Sequence, residues 1–305
     1  MTFTCTLPHL GQIRVSGADA DTFLQSQLSN DLSKLAAGRL QLSSYSNAKG
    51  RVLAVLGLRR AEDAILLETR RELVQGLLKR LRMYVLRSKV VLEDASGETA
   101  ALGLWGSESA ATLAGAGLPT PDQDWDSAEA SGVVVMRHPG TQPRYSLHGT
   151  VAAIAEVRES LAARTRVADT DAWRLQDILA GLPAVGLATA EHFVPQMLDL
   201  DRVGAISFSK GCYPGQEIVA RMHYLGKLKR RLFLAYAGAD VAPATDVFAE
   251  GEAQAVGEVV ESAPDPEHGN ALLLVLQTSR AGSANLHLGS PQGETLTAPL
   301  GFVTS

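Results

Sequence analysis

Helical periodicity stops near Arg221 in this chain, and that break limits the folds open to it. Upstream, short apolar runs alternate with segments whose apolar residues recur at three- and four-residue spacing, the pattern of strands interleaved with amphipathic helices. Downstream, residues 232–236, 255–260, 271–276 and 300–303 read as strands separated by Gly, Pro, Asp and Asn, with no helical period of useful length. The first part is therefore α+β or α/β. The second, starting near Gly226, suits a small barrel or sandwich. A chain of 305 residues is also long for one hydrophobic core. The expected blocks are residues 1–225 and 226–305.

Within the first block, Ser16-Gly17-Ala18-Asp19 signals a helix start, Phe23, Leu24, Gln27 and Leu28 share one face, and Ser29-Asn30-Asp31 ends the pattern. The runs 52–58 and 65–67, bounded by Lys49-Gly50 and Arg59-Arg60, predict a hairpin. The clearest helix follows. Leu73, Val74, Leu77, Leu78, Leu81, Tyr84 and Val85 repeat with helical spacing, Lys79, Arg80 and Arg82 face solvent, and Thr69 is placed to cap. Strand-like runs at 89–92, 101–105, 133–136 and 145–147 alternate with helical patterns at 108–114 and 150–163. Residues 121–126 read as a surface loop, and 171–181 as a helix closed by Gly181 and Pro183. The long irregular segment 182–209 is of the kind that is usually functional or mobile.

One stretch is too specific to follow from folding alone. Lys210-Gly211-Cys212-Tyr213-Pro214-Gly215-Gln216-Glu217, with Arg221 four residues on, sets one of two cysteines between glycines and close to a proline suited to the first helical position. That puts Cys212 and Tyr213 at or just before a helix N-terminus, where the helix dipole and Lys210 favour a thiolate. Gly211 and Gly215 allow unusual backbone angles, and Gln216 and Glu217 suit the positive end of a helix. The same features also suit a glycine-punctuated loop with a buried cysteine. A second cluster, Arg221, His223, Lys227, Lys229, Arg230 and Arg231, is either a solvated linker or an anion site beside Cys212 for carboxylates or phosphates.

Several function classes fall away. A formal net charge of -5 argues against a general nucleic-acid binder. No apolar run approaches the roughly 20 residues that span a bilayer, and Met1-Thr2-Phe3-Thr4-Cys5 lacks the form of a signal peptide, so a cytoplasmic protein with no membrane partner and no direct nucleic-acid partner is expected. Cys5 and Cys212 lie far apart, form no disulfide framework, and cannot supply the four thiolates that an iron-sulfur cluster usually takes. Asp199, Asp201 and Glu217 form no metal pattern, and His9, His138, His148 and His192 are scattered, so no catalytic metal is expected. The common phosphate-loop, dinucleotide and hydrolase motifs are absent.

The octapeptide closely resembles the signature of the YgfZ family, folate-binding proteins associated with assembly or repair of iron-sulfur clusters. Other pieces agree in order: Ser16-Gly17-Ala18-Asp19 with Phe23-Leu24-Gln25-Ser26-Gln27-Leu28-Ser29-Asn30-Asp31, then Asn47-Ala48-Lys49-Gly50-Arg51, Trp173, Ala180-Gly181-Leu182-Pro183, Phe193-Val194-Pro195-Gln196 and Ile206-Ser207-Phe208-Ser209. That family is similar in fold to the T-protein, the tetrahydrofolate-dependent aminomethyltransferase of the glycine cleavage system. The resemblance implies an α+β chain, with two interleaved subdomains and a small C-terminal β-barrel around a central opening for folate. It implies that Trp173 contacts the folate, while Arg221, Lys229 and Arg230 serve its acidic tail. Three departures stand out. Ala54 and Val55 occupy the place of the T-protein's paired aspartates, one of them needed for aminomethyl transfer, which argues against that activity. Leu179-Ala180-Gly181 replaces Glu-Ala-Gly and removes a polar pterin contact, and a family aromatic falls on Leu10.

What the resemblance implies is an accessory protein that binds tetrahydrofolate or a related folate and supports iron-sulfur enzymes, tRNA-modifying ones included. Its partners would be those enzymes or their assembly factors. Cys212 would be the reactive thiol and Lys210 its electrostatic support, with Gln216 and Glu217 in helix-end and loop hydrogen bonds. A folate-dependent one-carbon transferase or demethylase with another base stays open, as does a non-catalytic scaffold docked through the basic stretch.

Overall fold

The computed structural model describes residues 1–226, 228–282 and 285–302; Lys227 of the basic cluster and Val303, the last residue of the run 300–303, lie outside them. Strands β1 (Phe3–Thr6) and β2 (Leu10–Ser16) lead into α1 (Ala20–Gln27), followed by the hairpin strands β3 (Gln41–Ser46), β4 (Val52–Arg60) and β5 (Ala64–Arg70). Then come α2 (Val74–Arg82), β6 (Val91–Asp94), β7 (Thr99–Trp105), α3 (Ser109–Gly115), β8 (Ser127–Ala130), β9 (Val133–His138), β10 (Arg144–Thr150), α4 (Val151–Leu161), β11 (Arg166–Val167) and α5 (Thr170–Leu179). After a long segment holding one 3-10 turn, Pro195–Leu198, the chain forms α6 (Gln216–Leu225). It ends in β12 (Arg230–Ala237), β13 (Asp246–Ala249), β14 (Ala255–Asp265), β15 (Gly269–Gln277), β16 (Leu286–Leu288) and β17 (Thr297–Phe302). The strands make three sheets, ordered β3-β4-β5-β2-β6, β11-β1-β7-β10-β9-β8 and β16-β13-β14-β15-β12-β17.

Two compact units alternate along the chain. One takes Met1–Gln27, Asp31–Leu42 and Leu56–Trp173; the other takes Leu28–Asn30, Ser43–Val55 and Arg174–Ser305. Of the five passages between them, one follows the end of α1, one falls between Asn30 and Asp31, and three fall inside β3, β4 and α5. In the first unit, Leu102, Leu104, Val133, Val135, Tyr145 and Leu147 point from sheet to core and meet Ile154 and Leu161 of α4. Thr150 caps that helix by accepting the Ala153 N-H at 3.2 Å. A smaller cluster of Cys5, Leu7, Trp105 and Trp173 sits beside it. Gly103 is required there, because a Cβ at that position would lie 2.5 Å from Cε3 of Trp173.

In the second unit, Leu272, Leu274 and Leu276 of β15 join Phe233, Val247 and Val259 in one core. The alternate residues Leu273 and Val275 are just as deeply buried. Burial on both faces explains why 271–276 reads as an unbroken apolar run instead of an alternating one. Each such side chain contributes about 2 kcal/mol by leaving water.

Two local expectations are corrected. Thr69 does not cap a helix: it pairs with Gly11 in the β2–β5 ladder and is buried. The following helix opens through a 3-10 turn, Arg71–Leu73, whose leading residue Arg70 makes no side-chain cap. Tyr84 and Val85 lie beyond the end of α2, and Tyr84 is exposed, although Leu73, Val74, Leu77, Leu78 and Leu81 are buried as expected. No helix among the described residues is long and apolar enough to cross a membrane.

Candidate functional site

In the second unit, the fold brings the octapeptide against the turn between β3 and β4. Asn47 shapes that turn: its Oδ1 accepts the N-H groups of Lys49 at 2.9 Å and Arg51 at 3.0 Å, and its Nδ2 donates to Glu191 Oε2 at 2.8 Å. Gly50 takes φ 71° and Gly215 φ 81°, both left-handed. The two backbones touch. A Cβ on Gly215 would lie 2.5 Å from Gly50 Cα and 2.7 Å from the Asn47 carbonyl oxygen. Gly215 is also the residue that caps α6, so the helix starts at Gln216, and Pro214 is not its first residue. The left-handed turn at Gly215 separates the proline from the helix.

Lys210 does not reach out to support a thiolate. It is 8% exposed, and its Nζ donates to the carbonyls of Leu28 at 2.6 Å and Asn30 at 3.1 Å. Those carbonyls belong to a segment fastened from several sides: Ser29 Oγ donates to the Ala205 carbonyl at 2.8 Å, Asn30 Nδ2 to that of Gly204 at 2.8 Å, and Ser44 N-H to Ser29 Oγ at 2.8 Å. The ammonium therefore works as a structural pin, 5.1 Å from the centre of the Tyr213 ring. Burial pushes the Tyr213 phenol up to about 12. Cys212, between these two anchors, is exposed, whereas Cys5 is buried. Gln216 sends Nε2 towards the Lys210 carbonyl at 3.5 Å, and Gln196 Nε2 donates to the Val219 carbonyl at 2.6 Å, fixing α6 to the Pro195–Leu198 turn.

The basic stretch divides. Arg231 is bound to Asp199 at 2.8 Å and Asp201 at 2.7 Å; burial lowers its basicity, but hydrogen bonds to both carboxylates raise it further. Arg221 and Lys229 are exposed and Arg230 is half-buried. His223 stacks on Phe208 with ring centres 3.7 Å apart, and Tyr224 meets its edge. Glu217 is exposed on the first turn of α6.

For a folate, the acidic tail and the pterin head can be tested separately. Arg221, Lys229 and Arg230 carry the kind of charge an acidic tail calls for, and the first two are exposed. The head finds less: Ala54 is fully buried and offers no acceptor, and Leu179 offers none either. Trp173 is 3% exposed, held between Trp105, His138, Gly103 and the Arg144 guanidinium, whose Cζ is 5.0 Å from the ring. A ring so enclosed is part of the core of its unit and presents no free face for stacking.

One polar cluster escaped the sequence reading. In the first unit, His148 Nδ1 is 3.1 Å from Glu68 Oε2, its Nε2 is 2.8 Å from Ser146 Oγ, and that hydroxyl is 2.7 Å from His138 Nε2. Burial, then the neighbouring Arg144 and His148, hold the His138 ring well below the usual imidazole range. The available signal was Ser146-x-His148, two residues that point the same way on one strand.

The architecture is that of the T-proteins, α+β with several sheets. Residues 4–133 match the family model described as the GCVT N-terminal domain. The structure aligns with glycine cleavage system aminomethyltransferase T from Bartonella henselae at a TM-score of 0.76, over 97% of this chain and 83% of that one, with 18% identity. In sequence, the chain is 34% identical over 232 residues to tRNA-modifying protein YgfZ of Colwellia psychrerythraea, covering 76% of this chain and 71% of the relative. It is 35% identical over 222 residues to the protein of the same name from Edwardsiella ictaluri, covering 72% and 67%. The chain belongs to the YgfZ family.

Proposed function

We propose that this protein is a folate-binding accessory factor of the cytoplasm, which supports assembly or repair of iron-sulfur enzymes, including those that modify tRNA, through the thiol of Cys212. The observation that carries this reading is the setting of Cys212. An exposed sulfur sits on a loop whose backbone is held on one side by Lys210 and on the other by the Gly215–Gly50 contact. Anchoring both flanks limits how far the loop can carry the thiol, as suits a group that has to meet a partner. Family membership and the name of the relatives support the tRNA-modification link. The exposed Arg221 and Lys229, with the half-buried Arg230, suit the carboxylates of a folate tail. Ala54 and Val55 in place of carboxylates argue for binding without aminomethyl transfer.

Calorimetric titration with tetrahydrofolate is expected to give saturable binding that K229E/R230E weakens at least tenfold. Cells carrying only Cys212→Ala are expected to lose activity of iron-sulfur enzymes while keeping normal levels of the protein. No binding by the wild type removes the folate half of the reading, and full enzyme activity in the Cys212→Ala cells removes the thiol half.

A further inference from the structure

A cavity of about 350 Å³ lies in the first unit, among β2, β5, β7, β10 and α4. That volume is within the range of small-ligand sites. Its polar groups differ in sign between the buried side and the rim. Gln12, Glu68 and His148 line the buried side, and the exposed Arg71 and Arg158 line the rim.

Gln12 is 5% exposed, and its Oε1 has no hydrogen-bond partner among the described residues. A buried carbonyl oxygen of this kind calls for a donor. His148 has both ring nitrogens engaged, with Glu68 and Ser146, so the acceptors left to a visitor on that side are Gln12 and the Glu68 carboxylate. Burial pushes the Glu68 carboxyl up, but His148, Arg59 and His9 more than offset this and hold it below its ordinary range, so it is charged at neutral pH. At the rim, Arg71 is steadied by donating from Nη1 to the Ser96 carbonyl at 3.2 Å, and Arg158 stands in the last turn of α4. Leu7, Leu10 and Ile154 supply apolar wall between the two ends.

We propose that this cavity binds a zwitterionic small molecule of amino-acid to dipeptide size, its ammonium received by Glu68 and Gln12 and its carboxylate by Arg71 and Arg158. The site includes Leu10, where the family has an aromatic, but none of the residues assigned to the folate tail or to the thiol.

The test is calorimetry on the full chain at neutral pH with L-phenylalanine, L-leucine, glycyl-L-phenylalanine and glycyl-L-leucine. At least one is expected to saturate at one per chain. Its N-acetyl and amide derivatives are expected to bind at least tenfold more weakly, and R158A and Q12L to weaken it severalfold with the melting temperature of the free protein unchanged for R158A. Absence of saturation with all four overturns the proposal. So do equal binding of both blocked derivatives, unchanged affinity in R158A and Q12L, or competitive displacement by tetrahydrofolate. Failure of tetrahydrofolate to bind at all would sink the folate reading and leave this one standing.

Discussion

At the position of Gly215, a single methyl group decides whether the site assembles. Gly215→Ala would need both a left-handed φ and a Cβ within 2.5 Å of backbone that cannot yield, so it is expected to cost about 2 kcal/mol or more, seen as a lower urea midpoint. Lys210→Met removes a charged donor from two buried carbonyls and is expected to cost about 2 kcal/mol. It should also loosen the loop that carries Cys212. Tyr213 gives a spectroscopic check: its phenol, raised to about 12 by burial, contributes stability below pH 10 that is lost as pH rises towards 12. In an ultraviolet titration, one of the six tyrosines should ionise near that upper value, and Tyr213→Phe should remove that step. The residues at this site were legible because their types are unusual: glycines at fixed offsets and a cysteine between them. What Lys210 does was not legible. Proximity in sequence suggested a partnership with Cys212, while the three-dimensional partners, Leu28 and Asn30, lie far away along the chain.

Elements were readable where apolar spacing was regular, as in α2 and α4, and where a run was short and bounded, as in β4 and β5. Their edges were not. Thr69 has the chemistry of a cap but the ladder with β2 claims it, and Pro214 has the chemistry of a first helical residue but the left-handed Gly215 comes after it. The Glu68–His148 pairing joins β5 to β10, a juxtaposition that no local pattern encodes. It makes a pH prediction. The folded carboxyl lies below the ordinary 4.5, so its stabilising contribution is present above that value and is lost as pH falls through the lower, folded one. Thermal melts from pH 6 down to about 3 should therefore show the gap between wild type and Glu68→Gln closing as acid is added. A gap that stays constant would show that the carboxylate's charge does not matter there.

For the molecule as a whole, the alternation of segments means that neither unit can be completed by a continuous piece of chain. Residues Leu28–Asn30 and Ser43–Val55 must return to the second unit between stretches committed to the first. Unfolding of the two should therefore be coupled. All three tryptophans, Trp105, Trp125 and Trp173, report on the first unit, and a fluorophore on the exposed Cys212 reports on the second. Their denaturant midpoints are expected to coincide, and clearly separated midpoints would show that the units unfold independently. The placement of the two sulfurs has a stoichiometric consequence. With Cys5 enclosed and Cys212 open, oxidation can stitch one copy to a single neighbour and no further, so covalent growth halts at pairs and a gel run without reductant would show one extra band in place of a ladder.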